Sequence, residues 1–183
     1  MSRCREIAPE AMSEAQRRVH DMIAAGRRGR VAGPFQVLLH APEVCEHAAR
    51  LGEHLRWGSS LPARLSELAI ILTARSLRAQ YEWHAHAPLA EKAGVPAAAV
   101  EAIRKGETPN FAAADEALLY RIVSELQRTQ RLSDASFAAA VEALGEAGLV
   151  EIIAIIGYYT LIGNTLNVFQ VALPAGATPP FAE

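Results

Sequence analysis

The chain has 183 residues, enough for one domain with a substantial core. A net charge of -2 and a pI near 6.3 provide no basic footprint for nucleic acid. Hydrophobic residues make up 51%, and the bias towards alanine and leucine over β-branched and aromatic residues favours helix. The cysteines Cys4 and Cys45 form no CxxC pair, which suits a reducing compartment without structural disulfides. Residues 1–10 carry charges where a signal peptide needs an apolar stretch. The longest apolar run, 152–162, is about half of the ~20 residues that span a bilayer. The expectation is a soluble, cytoplasmic protein.

In chain order, Ser13-Glu-Ala-Gln is a capping-box pattern and opens a helix to about Ala25. Gly26 to Pro34 breaks it with an irregular loop holding Arg27, Arg28 and Arg30. This basic cluster reads as a solvated loop, or as an arm carrying a guanidinium towards an anionic ligand or a neighbouring subunit. Pro42 suits the first turn of a helix through Trp57. A further helix begins near Pro62 and contains Glu67. Ala63–Ala93 reads as helical, so one long helix or two jointed near Ser76–Ala79 both fit. Helices are also expected over Ala97–Lys105, Ala112–Thr129 and Ser133–Leu144, with a break at Gly145–Gly148. The last helix, Leu149 to about Val168, starts apolar nearly all round, which marks it as central to a core or an oligomer interface. No strand alternation or repeat is visible. The fold class is all-α, about eight helices in one domain.

The chemistry concentrates in Gln80-Tyr81-Glu82-Trp83-His84-Ala85-His86. Residues four apart share a helix face, so Glu82 and His86 can touch while His84 points away. A carboxylate that orients an imidazole is an acid–base pair; the bland alternative is a surface i,i+4 pair worth a few tenths of a kcal/mol. Glu67 stands among Leu65, Leu68, Ala69, Ile70 and Ile71, where a carboxylate is costly unless paired. His40, His47 and His54 recur every seven residues, about 10 Å apart per step, too far to share one metal. No metal-ligand spacing is present, and no metal is expected. Cys45 reads as a small core residue. Tyr158, Tyr159, Asn164 and Asn167 put polar groups on the apolar last helix, as a core network or as a pocket lining.

The stretches GPFQVLLHAPEV, LPARLSELAI, QYEWHAHAPLAEKAGV and NTLNVFQVALP resemble the carboxymuconolactone decarboxylase family, which includes the AhpD-like alkylhydroperoxidases. The peroxidase branch has the pattern Glu-x11-Cys-x-x-Cys-x3-His. Glu67 and His86 match its two ends, while Ala79 and Glu82 occupy the cysteine places. The chain thus resembles a cysteine-less branch, for which thiol peroxidase chemistry is disfavoured. The resemblance implies an N-terminal helix and arm over 1–32, a helical domain over 33–174 and an irregular tail over 175–183. It implies a cofactor-free decarboxylase-like enzyme for a small carboxylated lactone, assembled as a homo-oligomer, a trimer or dimer of trimers. His86, Glu82 and Glu67 are the expected catalytic residues. Tyr81, Trp83, His84, Arg30 and Asn164 are the expected substrate contacts. A different lyase, isomerase or hydrolase on this fold, or a helical binding subunit without catalysis, are the competing readings. Convergence of Glu67, Glu82 and His86 in one pocket discriminates for an enzyme.

Overall fold

A computed structural model describes residues 2–181; Met1 and residues 182–183, the ends of the expected arm and tail, lie outside them. The described residues form eight α-helices and no strand. They are α1 (Glu14–Ala25), α2 (Pro34–Leu38), α3 (Pro42–Trp57), α4 (Ala63–Ser76), α5 (Gln80–Lys92), α6 (Ala97–Lys105), α7 (Ala114–Thr129) and α8 (Asp134–Val168). No helix among them is long and apolar enough to cross a membrane.

Local chemistry sets the helix ends. Ser13 caps α1 in a reciprocal box: its hydroxyl accepts from the Gln16 amide at 3.2 Å, and Gln16 accepts from the Ser13 amide at 3.0 Å. Ser133 accepts from the Ser136 amide to start α8. Gly106 closes α6 at φ 79°, a conformation that costs glycine little. The expected break at Gly145–Gly148 is a kink at Gly145 alone, with φ 69° and ψ 169°, and the helix resumes at once. The short α2 was absent from the expected elements. Pro34 at its first turn supplies a preset φ, and burial of Phe35, Val37 and Leu38 stabilises it.

Of the two arrangements open for Ala63–Ala93, the chain adopts two helices, the second continuing through Pro88. Arg78 takes φ 50° between α4 and α5. Neither glycine nor proline makes this joint; packing on α8 does. A Cβ added at Gly163 would lie 2.8 Å from Leu77 Cδ1, so the joint rests directly on the α8 backbone. Asn167 donates its side-chain amide to the Leu77 carbonyl at 2.9 Å, satisfying an acceptor that the helix end leaves open.

The central helix is α4, packed against α5, α6, α7 and α8. Residues 68–74 of α4 are buried on every side. Ile152, Ile155 and Ile162 of α8 complete the core, joined by Val19 and Ile23 of α1 and by Phe181 of the tail. Phe181 packs edge-on against Trp83 at 5.2 Å. Gln80 fixes the tail by bonding both the carbonyl and the amide of Phe181, at 2.9 and 3.0 Å.

Candidate active site

Folding α5 back on α4 brings the three expected catalytic residues together. His86 donates Nδ1–H to Glu67 Oε2 at 2.7 Å, a charge-assisted bond between two buried elements. That bond fixes the tautomer and leaves Nε2 as the available nitrogen. One turn before it, Glu82 Oε2 lies 3.7 Å from Nε2, beyond hydrogen-bond length but within strong electrostatic reach. Glu82 and His86 are each only 5% exposed. The Tyr159 ring meets the imidazole edge-on at 5.0 Å, and Tyr158 meets Tyr159 in the same manner at 5.1 Å. The imidazole is thereby gripped by a carboxylate behind and an aromatic ring at its side.

Glu82, His86, Tyr158 and Tyr159 form one wall of a cleft of about 330 Å³, with Glu67 behind His86. The opposite wall comes from the loop 26–33 and the C-terminal end of α3, which contribute Arg27, Arg28, Arg30, Arg56 and Trp57. Arg28 reaches inward: its guanidinium lies 4.4 Å over the Phe35 ring, and Nη2 donates to the Tyr158 hydroxyl at 3.5 Å. Gly52 permits this. A Cβ there would fall 2.1 Å from the Tyr158 oxygen and 2.7 Å from Arg28 Nη2. Gly33, at φ 58°, similarly lets the loop pass against the Tyr81 ring.

Burial is the main force on the acidic groups of the cleft. It raises the Glu82 carboxyl above its ordinary range, opposed by the positive fields of His86, Arg56 and Arg28 and helped by Glu67. It also pushes Tyr158 up to about 12, and Tyr159 well above 10, so both phenols keep their protons. Cys45 is buried and does not line the cleft, and burial pushes its thiol up to about 11.

The other expected contacts divide. Tyr81 and Arg30 line the cleft. Trp83, His84 and Asn164 lie elsewhere. Trp83 is buried in the core beside Phe181, about 100° round the helix from its neighbour Glu82. His84 is exposed on the far side of α5, and Asn164 is exposed on the outer face of α8. Arg28, among the loop arginines considered, takes the innermost place. Tyr158 and Tyr159 line the cleft and belong to the core at once. Arg56, Trp57 and Phe35 were missed entirely. Adjacent Arg and Trp at a helix end is a faint signal, since nothing in the sequence aims that end at α5. Among the described residues no group of His, Cys, Asp and Glu is placed to hold a metal.

No curated protein matches the chain. Residues 42–121 match the model of the carboxymuconolactone decarboxylase family. That segment carries α3 to α6 and the start of α7, hence Arg56, Trp57, Glu67, Glu82 and His86. The all-helical architecture agrees with the AhpD-like fold of that family. Residues 42–121 are thus similar to the carboxymuconolactone decarboxylase family, over somewhat less than half of the chain.

Proposed function

We propose that the protein is a cofactor-free acid–base enzyme that decarboxylates a small carboxylated lactone or a related intermediate of aromatic degradation. The single observation that carries this reading is the convergence of Glu67, His86 and Glu82 on one arginine-lined cleft. An exterior scatter of the three would have favoured a binding subunit.

Loss of CO2 from the γ carbon of a butenolide leaves its electron pair to delocalise into the ring as a 2-oxyfuran-type dienolate. The lactone is its own electron sink. The protein must hold the anion away from water, stabilise the developing oxyanion and return a proton to carbon. His86 is the proton donor, through Nε2, and Glu67 stabilises the imidazolium from the other side of the ring. Glu82 beside Nε2 supplies or receives the proton that resets the pair. Arg28, Arg56 and the Tyr158 hydroxyl offer donors to the anion.

Thiol peroxidation lacks its chemistry here. Ala79 and Glu82 stand in the two cysteine places, and the buried Cys45 thiol stays protonated at neutral pH.

The same reading includes a homo-oligomer. Val150, Ala154, Gly157, Leu161, Asn164 and Val168 follow one another along α8 at alternating steps of four and three, the seam spacing of a coiled coil. Most are exposed, Leu161 by 43% and Val168 by 61%. A like helix from a second copy fits that seam, with Gly157 allowing close approach and Asn164 fixing register.

The activity is tested by assaying γ-carboxylated butenolides and organic hydroperoxides side by side. Lactone turnover without peroxide turnover is expected. His86→Ala should lower lactone turnover by about 10²-fold or more, with the helical circular dichroism retained. Undiminished turnover in that variant would remove His86 from the mechanism.

A further inference from the structure

Three guanidiniums gather on one indole. Arg56, Arg28 and Arg27 lie 4.7, 5.6 and 6.0 Å from the Trp57 ring centre. Elsewhere Arg18, Arg50, Arg64 and Arg104 each meet a carboxylate at 3.0 Å or less. Among the described residues none of the three arginines at Trp57 makes such a pair. Arg28 has in addition a buried Nε without a hydrogen-bond partner. A half-buried cation with an unpaired donor is costly unless something anionic completes it. The carboxylate that Arg28 and Arg56 both act on is Glu82, and it stands off without closing an ion pair to either.

The groups facing Glu82 come from every surrounding element: His86 on its own helix, Glu67 on α4, Arg56 on α3, Arg28 on the loop before α2, and Tyr158 and Tyr159 on α8. Only the two arginines and His86 favour its ionised form, against its burial and Glu67. An anion that takes up the charge of Arg28 and Arg56 removes part of what keeps Glu82 ionised.

We propose that the cleft takes the carboxylate of its ligand between Arg28 and Arg56, and that Glu82 takes up a proton as this happens. The ligand's own negative charge replaces that of Glu82 as the counterion of the arginines. The proton then sits one short step from His86 Nε2. Decarboxylation of the carboxylate consumes one proton for each CO2 released, because the dienolate left behind must be protonated on carbon. Substrate binding thus loads the proton that the reaction spends. This inference rests on the reading of the cleft as a site for a small carboxylated ring.

The test measures binding without turnover. The probe is 2-furoate, a planar oxygen heterocycle with one carboxylate, and 2-furamide is its neutral control. Calorimetry in buffers of different ionisation enthalpy reads proton uptake directly. Furoate should bind with net proton uptake and with affinity rising as pH falls from about 8 to about 5.5, because the complex holds the proton over a wider pH range than the free protein. Furamide should bind roughly tenfold more weakly, with no uptake. Glu82→Gln, a fixed mimic of the protonated acid, should bind furoate more tightly than the wild type at pH 8, with the uptake abolished. Arg28→Gln and Arg56→Gln should each weaken furoate binding by roughly tenfold while leaving furamide unchanged. Absence of furoate binding, binding without proton uptake, or weaker binding to Glu82→Gln would overturn the proposal. Furoate-linked uptake in a protein inert towards lactones would retain this proposal and refute the catalytic reading. Lactone turnover with no furoate-linked uptake would do the reverse.

Discussion

At the scale of single residues, the site depends on which atoms are left without alternatives. His86 has one nitrogen committed to Glu67, so its chemistry is confined to the other. Glu82 is held in a place where burial opposes its charge. Its carboxyl is raised in the folded state, so its contribution favours folding at low pH and is lost as pH rises through the folded value. Glu82→Gln should therefore make the protein more stable than wild type at about pH 8. The advantage should vanish as pH falls to the ordinary carboxyl value near 4.5, as read by urea unfolding at both pH values. Gly52 is the complementary case, a residue whose importance lies in what it lacks. Gly52→Ala would drive a methyl into the Tyr158 hydroxyl and the Arg28 guanidinium. It should cost about 1–3 kcal/mol in urea unfolding and weaken furoate binding, because Arg28 can no longer reach its position.

At the scale of elements, capping and periodicity made most helices legible. Ser13 and Ser133 were readable as caps because a hydroxyl accepting an amide three residues on is a local event. The match of Glu67 and His86 to the family pattern was equally readable, because the spacing is carried by the chain itself. What escaped was tertiary. The joint after Ser76 has no breaker residue; it exists because Leu77 and Ala79 rest on Gly163. Trp83 and His84 belonged to the right stretch but the wrong faces of α5, and helix geometry alone disfavoured His84. Arg56 and Trp57 could not be tied to Glu82 from sequence, since no local rule says which helix end faces α5. Asn167 illustrates the same limit: a polar residue on an apolar helix, it serves as a partner for the Leu77 carbonyl.

At the scale of the whole molecule, α8 has two faces with separate tasks. Its inner face supplies Tyr158 and Tyr159 to the cleft and Ile152, Ile155 and Ile162 to the core. Its outer face carries the seam from Val150 to Val168. Leu161→Glu places a charge in the middle of that seam without touching the core. If this seam is the interface proposed above, it should reduce the oligomer to monomers in size-exclusion chromatography with light scattering while the helical content stays unchanged; an unaltered mass would exclude this face as the interface. The cleft itself draws on the loop before α2, on α2, α3, α5 and α8, with Glu67 of α4 behind it, so it forms only when the fold is complete. If His86 delivers the proton to carbon in this cleft, the label it leaves on the product is readable. The most direct measurement is turnover of a γ-carboxylated butenolide in D2O, followed by NMR, with wild type and His86→Ala compared. The wild type should release CO2 and place a single deuterium on one ring carbon of the former dienolate, and His86→Ala should form almost no product. Equal deuterated product from both proteins, or no product from the wild type, would contradict this role of His86.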